Sequence, residues 1–365
     1  MKYNIGIIGG GQLGMMMALE AKKLNLTTAV LDPNINCSCK NVADKLIIGS
    51  FNDVEKLNEL EEISEVLSYE FENVSGDKLK LLHDKFKIPQ GITPLLDSQD
   101  RLREKENAHK YNLPTVNYMK CSSLADLERA IESIKYPLLY KTRRDGYDGH
   151  GQVLLNNEDD IKNVLPYIND NIPGIIEEKI LFDYECSIIM VRDKDKIIHF
   201  PLSRNIHHEN ILDLSIVDDS IPHSLQEEII KKSEEFMIQA NYYGILTIEY
   251  FIKGDQFYFN EMAPRVHNSG HYTIEGCNTN QFKELDKFLT NQELTEPKLN
   301  SPSIMKNILG RDLKNLDKLM KIKNAHLHMY NKDEVRVKRK LGHITYTDIT
   351  YKEYLDYKNK LNIEG

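Results

Sequence analysis

The sequence predicts an α/β and α+β protein built from three kinds of unit. An N-terminal doubly wound parallel α/β (Rossmann-like) domain leads into a central glycine-loop subdomain, followed by a C-terminal, mostly antiparallel sheet domain. Three observations predict this. Short apolar runs alternate with helix-forming stretches over the first hundred residues, as crossover helices between parallel strands require. A polar stretch with glycines at 146, 149 and 151 then follows an apolar run. From Ile175 to Glu261 strand-like segments dominate, which is the habit of antiparallel sheet.

Taken in order, Asn4 to Ile8, Thr28 to Leu31, Lys45 to Ile48 and Glu65 to Tyr69 read as strands. Helices are expected from Gln12, Asp53 and Val74, and another from Leu95 to Tyr111, ended by Leu113-Pro114. Pro137 to Lys141 is a strand running into the glycine-containing stretch. The strand-rich region holds IIEEKI, YECSIIMVR, KIIHFPLS, ILDLSIV, GILTIEYFI and FYFNEMA, with a helix at Ser224 to Gln239 and a further one at Phe282 to Leu289. The last 65 residues, from Ser301, mix short strands with the basic segment KDEVRVKRKLGH.

Composition narrows the function classes. With 365 residues, 41% apolar and 28% charged, the chain is long enough for two or three domains with a substantial core. A formal net charge of -9 argues against a nucleic-acid surface and leaves room for a small phosphorylated ligand. The early uncharged run Tyr3 to Leu19 is short and glycine-rich, neither signal peptide nor membrane span, so a cytoplasmic protein is expected. Five cysteines without a C-x-x-C pair indicate buried free thiols rather than a disulfide framework or a zinc site.

Gly9, Gly11 and Gly14 stand in G-x-G-x-x-G spacing between a strand and a helix. Such a turn aims backbone N-H groups and a positive dipole end at an anion. Asp32, about 20 residues on, invites an NAD or FAD reading, though Asp32-Pro33 is equally a strand-ending turn. In KTRRDGYDGHGQV, Lys141 and the three glycines suit a polyphosphate; the spacing is not that of a P-loop. In GILTIEYFIKGDQFYFNEMAPR an odd-numbered hairpin loop sets Glu249 opposite Glu261, roughly 5 Å apart between Cβ atoms. Facing carboxylates with substrate phosphates are a usual seat for Mg²⁺, whereas a slip of one residue sends the two acids to opposite faces. Arg265 and His267 follow directly as anion binders. The H-x-x-x-H of His267 and His271 lacks the Glu of a zinc protease helix, and His207-His208 has no third ligand.

Together and in order, GGGQLGMM, VLDP, YEFENV, QDRLREK, KTRRDGYDGHGQ, NEMAPRVHNSGHYT and RKLGH resemble the ATP-grasp enzymes, specifically the 5-(carboxyamino)imidazole ribonucleotide synthases, across essentially the whole chain. The resemblance implies an ATP-grasp fold divided as 1–100, an N-terminal α/β domain on the substrate side; 101–180, with the glycine-rich loop; 181–300, for metal and nucleotide; and 301–365, closing the substrate site. It implies a ligase that uses ATP, Mg²⁺ and bicarbonate to carboxylate the exocyclic amine of 5-aminoimidazole ribonucleotide through carboxyphosphate. Family members are commonly homodimers acting on small molecules, without nucleic acid or membrane partners.

By the same resemblance the ATP contacts are Arg101, Lys141, Gly146, Tyr147, Asp148, Gly149, His150, Gly151, Gln152, Glu177, Glu178, Lys179, Ile180, Glu185, His207, Asn260 and Glu261. The metal ligands are Glu249 and Glu261, and the ribonucleotide contacts are Gln12, Leu13, Glu72, Asp148, Arg265, His267, Asn268, Lys332 and Arg339. Asp148, Arg265, His267 and Lys332 are the catalytic candidates, with Asp148 accepting the amine proton. His150 departs from the Lys or Arg of similar sequences, and Ala263 stands where many ATP-grasp enzymes carry an Asn metal ligand. A formate-dependent glycinamide ribonucleotide transformylase of the same fold and an NAD-dependent oxidoreductase are the rival readings.

Overall fold

The apolar run YNIGII forms the first strand, β1 (Tyr3–Ile8), of a parallel sheet with β2 (Thr28–Asp32), β3 (Lys45–Ile48) and β4 (Ser64–Tyr69), in the order β3-β2-β1-β4. The computed structural model describes residues 2–82, 87–144, 146 and 151–363. Because the chain builds outward from β1 in both directions, a crevice lies at the carboxyl ends of β1 and β4. Helix Gln12–Lys23 carries the run MMMA, and Met15, Met16 and Met17 are all buried. They lie in one core with Phe282 and Leu285 of helix Gln281–Leu289, so this first unit is packed against the remainder of the chain.

The second sheet is antiparallel: β5 (Tyr118–Cys121), β6 (Leu138–Thr142), β7 (Gln152–Leu155) and β8 (Gly174–Glu178), ordered β5-β8-β6-β7. The glycine-containing stretch joins β6 to β7. Its Tyr147, Asp148, Gly149 and His150 lie outside the described residues. Helix Leu124–Ile134, capped by Ser123 accepting from the Asp126 N-H, covers this sheet with Leu127 and Ala130. The sequence reading lacked both this helix and β5, a four-residue strand with three of its side chains at least partly exposed.

The third sheet holds nine strands: β9 (Tyr184–Arg192), β10 (Ile197–His199), β11 (Ser203–His208), β12 (Ile211–Val217), β13 (Gly244–Lys253), β14 (Gln256–Ala263), β15 (Ser303–Leu309), β16 (Ala325–Met329) and β17 (Lys340–Thr347). Its order is β14-β13-β9-β11-β12-β15-β17-β16, with β10 beside β9. The C-terminal strands therefore extend the same sheet that carries the two expected metal acids, and β14 is an edge.

Two helix expectations are corrected. The segment from Leu95 to Tyr111 is two helices, Thr93–Ser98 and Arg101–Lys110, because Asp100 turns to extended backbone at φ -135° and its carboxylate accepts from the Leu102 and Arg103 N-H groups. The helix expected from Val74 is a single turn, Gly76–Leu79, capped by Ser75. All five cysteines are buried free thiols. Among the described residues no helix is long and apolar enough to cross a membrane.

Candidate functional site

The β13–β14 hairpin turns at Gly254-Asp255, with Lys253 paired to Gln256 and Gly254 at φ 58°. This two-residue loop corrects the odd-numbered one expected from sequence. Carried unchanged, its register would set the two acids one residue out of step. A β-bulge between Glu249 and Tyr250 restores them: Tyr250 pairs with Phe259 but Glu249 pairs with Glu261, leaving Asn260 as the extra residue. Glu249 is buried, and burial, followed by the charges of Glu261 and Glu185, pushes its carboxyl well above the usual range. Glu185 is pushed up to about 7, by burial first and then by Glu261. Among the described residues no three His, Cys, Asp or Glu side chains converge as a metal cage. Two opposed carboxylates are a donor set that suits a hard cation sharing its remaining coordination with phosphate and water.

The described nucleotide candidates gather between the second and third sheets. The Lys141 ammonium lies 2.7 Å from the Glu177 carboxylate, and Lys105 approaches the other oxygen of Glu177 at 3.4 Å. Those two cations outweigh the burial of Glu177 and hold its carboxyl down at about 2. Arg101 donates to the carbonyls of Thr142 and Gly146, both at 2.9 Å, and so fastens the start of the glycine stretch. At the other end of that stretch Gly151 adopts φ 71°, and Gln152 pairs with Lys141 across β6 and β7. Glu177 and Glu178 close β8, and Lys179 and Ile180 follow it. His207 meets Glu185 at 3.3 Å, and the field at Glu185 is set by Glu261, Lys141 and Lys179.

The described ribonucleotide candidates surround the crevice at β1 and β4, and Asp148 lies outside the described residues. Gln12 and Leu13 open the helix after the glycine turn. The turn's anion seat belongs to the protein itself: Glu70 accepts the Gly11 and Gly14 N-H groups, both at 2.6 Å. Asp32 accepts from Gly10 at 2.8 Å and from Asn34, as an aspartate in a strand-ending turn does. Lys332 reaches this place from the other end of the chain; burial pushes its ammonium below the usual range, against the pull of Glu70. Arg339 pairs with Asp333, which in turn accepts from Asn34. Arg265 binds Glu72 at 2.5 Å, and although burial opposes it, this guanidinium keeps the Glu72 carboxyl below the usual range. His267 is neutral, since burial and then Arg265 depress its pKa well below normal. Its Nδ1 lies 2.8 Å from Ser269 Oγ and its Nε2 3.4 Å from Glu249, and Asn268 follows in a short 3₁₀ turn.

The structure adds residues that sequence reasoning missed. Arg143 and Arg144 line the same cleft as Glu249, Glu261 and Arg265. Arg143 grips Asp100 through two hydrogen bonds of 2.9 and 2.6 Å. Glu70, Glu104 and Lys105 complete the set. All five stand inside the motifs YEFENV, QDRLREK and KTRRDG, but nothing in a motif says which charged residue points inward.

Comparison with known proteins agrees over the whole length. Residues 1–94 match the profile of a ribonucleotide synthetase preATP-grasp domain, 106–282 an ATP-grasp domain, and 303–356 a phosphoribosylaminoimidazole carboxylase C-terminal domain. The N5-carboxyaminoimidazole ribonucleotide synthase of Staphylococcus aureus is 40% identical over 348 residues, covering 93% of this chain and 91% of the relative. That of Staphylococcus haemolyticus is 39% identical with the same coverage. Among solved structures, the Staphylococcus aureus N5-carboxyaminoimidazole synthetase complexed with ADP superposes with a TM-score of 0.93 at 38% identity, over 99% of this chain and 98% of that one. The Aspergillus clavatus enzyme in complex with ADP and 5-aminoimidazole ribonucleotide superposes with a TM-score of 0.89 at 28% identity, over 99% and 98%.

Proposed function

The chain belongs to the family of N5-carboxyaminoimidazole ribonucleotide synthases of the ATP-grasp superfamily, and on that premise we propose how its residues divide the work. It is an ATP-dependent ligase that carboxylates 5-aminoimidazole ribonucleotide in purine biosynthesis. Bicarbonate is the carbon source, phosphorylated by ATP to carboxyphosphate, which meets the ribonucleotide amine directly or as CO₂ released in the closed site. ATP lies between the second and third sheets. Lys141 and the glycine stretch from Gly146 to Gln152 hold its phosphates, and Glu177 to Ile180, Glu185 and His207 are its other contacts.

Glu249 and Glu261, with Asn260 beside them, would hold Mg²⁺, whose chemistry is to neutralise charge on the transferring phosphoryl group. Arg265 faces the same cleft and adds fixed positive charge where the phosphoryl oxygens collect. Neutral His267 spans from the metal acid Glu249 to the substrate side as a hydrogen-bonding group, not as an anion-binding cation. The ribonucleotide occupies the crevice beside Gln12, Leu13, Glu72 and Asn268, with its phosphate on Lys332 and Arg339. Asp148 accepts the amine proton. The homodimer expected from the resemblance belongs to the same proposal.

The observation that carries the reading is the bulge that sets Glu249 opposite Glu261. Glu261→Ala is expected to abolish ADP formation while leaving the circular dichroism spectrum unchanged, since it removes an exposed acid and no core group. Near-normal turnover in this variant would falsify the metal assignment. Phosphate release measured with bicarbonate or formate, and with each candidate ribonucleotide, separates this reaction from a formate-dependent transformylase.

A further inference from the structure

The bulge that aligns the two acids leaves β14 with a problem on its other side. Among the described residues β14 is the edge of its sheet, so no strand of that sheet covers its backbone on the side away from β13. A bulged edge strand is free to twist, and the side chains at the bulge swing with it. Here the exposed side is closed by helix Arg101–Lys110. Glu104, only 3% exposed, accepts the Met262 N-H at 2.5 Å. Its neighbour Lys105, 1% exposed, donates to the Phe259 carbonyl at 2.8 Å. The Phe259 N-H is taken in turn by the Pro114 carbonyl at 2.7 Å, where Thr115 bridges to Phe259. The two residues between these anchors are Asn260 and Glu261.

We propose that Glu104 and Lys105 are positioning residues of the metal end: they clamp the β14 backbone on both sides of the bulge and so fix the direction of Glu261. Both side chains are buried, where water does not compete for the backbone groups they hold. Lys105 does more than hold a carbonyl. It also lies 3.4 Å from Glu177, which pairs with Lys141, so the clamp ties the phosphate-facing lysine of the second sheet to the edge of the third. This inference rests on the metal reading of Glu261, and its test keeps the two apart.

Three variants are compared with Glu261→Ala: Glu104→Ala, which loses the acceptor; Glu104→Gln, whose amide oxygen still accepts from Met262; and Lys105→Met. Mn²⁺ titration of the ADP-bound enzyme, followed by electron paramagnetic resonance, reads the metal without turnover, and amide exchange at Met262 reads the clamp directly. Glu104→Ala is expected to weaken Mn²⁺ by about 10- to 100-fold, as loss of a group orienting a ligand does. ADP affinity should change far less, Met262 should exchange faster, and Glu104→Gln should recover most of the metal affinity. Lys105→Met should weaken both ligands. Glu104→Ala with unchanged Mn²⁺ affinity, or with equal losses of Mn²⁺ and ADP, overturns the proposal. If that variant does not fold, Glu104→Gln with a Mn²⁺ affinity as low as that of Glu261→Ala overturns it instead. Unchanged Mn²⁺ binding in Glu261→Ala would overturn the metal reading, while Met262 exchange in the Glu104 variants still judges the clamp.

Discussion

A carboxylate buried beside other carboxylates holds its proton, and Glu185 shows the consequence at the scale of one residue. Its carboxyl is pushed from about 4.5 to about 7, by burial before the charge of Glu261. The ligand-free native state therefore keeps a proton that the unfolded chain has already lost between those two values. Where the native state binds more protons, stability falls as pH rises. The contribution of Glu185 is present in full below pH 4.5 and is lost on the way up through about 7. Glu185→Gln should flatten this part of the profile: thermal midpoints of the ligand-free enzyme between pH 5 and 8 should decline less in the variant. Parallel profiles would show that Glu185 is ionised throughout the range.

At the scale of an element, the glycine turn shows how a motif and its usual ligand come apart. Strand, turn and helix form as the spacing predicts, yet the N-H groups of Gly11 and Gly14 are already satisfied by Glu70. A pyrophosphate would have to displace a buried carboxylate that is hydrogen-bonded twice. Isothermal titration with NAD, NADP and FAD is therefore expected to show no binding, and micromolar affinity for any of them would overturn this account. The glycines are needed instead for close approach: a Cβ at Gly11 would lie 2.6 Å from Glu70 Oε1, and one at Gly9, at φ 107°, only 2.3 Å from Glu70 Cγ. Gly11→Val should lower the thermal midpoint and raise the half-saturating ribonucleotide concentration, with ATP affected much less. A greater loss of ATP would place the turn on the wrong ligand.

For the whole molecule, the site exists only because three sheets are held at one place. Met15 to Met17 share a core with Phe282 and Leu285, which docks the first unit against the large sheet. Across that junction Arg265, just after β14, pairs with Glu72, just after β4. The pair joins the metal end to the substrate crevice, so its loss should appear in the ribonucleotide. Arg265→Lys keeps the charge but not the planar fork. The half-saturating ribonucleotide concentration is expected to rise roughly tenfold, the worth of one charge-assisted hydrogen bond, with a smaller effect on ATP. An effect confined to ATP would show that Arg265 serves only the phosphoryl transfer.

Periodicity and turn chemistry were enough to read the parallel first unit, the strand-rich later region and the helix near 224–239, because those signals are local. The ordered motifs likewise pointed to the family, and within them to Glu249, Glu261, Arg265 and Lys141. Contacts between distant segments are not local, and they account for what the sequence left open. The odd hairpin loop inferred from sequence is a two-residue loop with a bulge beyond it, and a bulge has no residue signature when its extra residue is an ordinary Asn260. The break at Asp100 in an expected long helix came from a cap that competes with helix continuation. The occupancy of the glycine turn by Glu70, the neutral state of His267 and the inward aim of Glu104 and Lys105 depend on which groups face each other across elements. Burial and pairing across such distances set charge states and hydrogen-bond partners, and only the assembled fold specifies them.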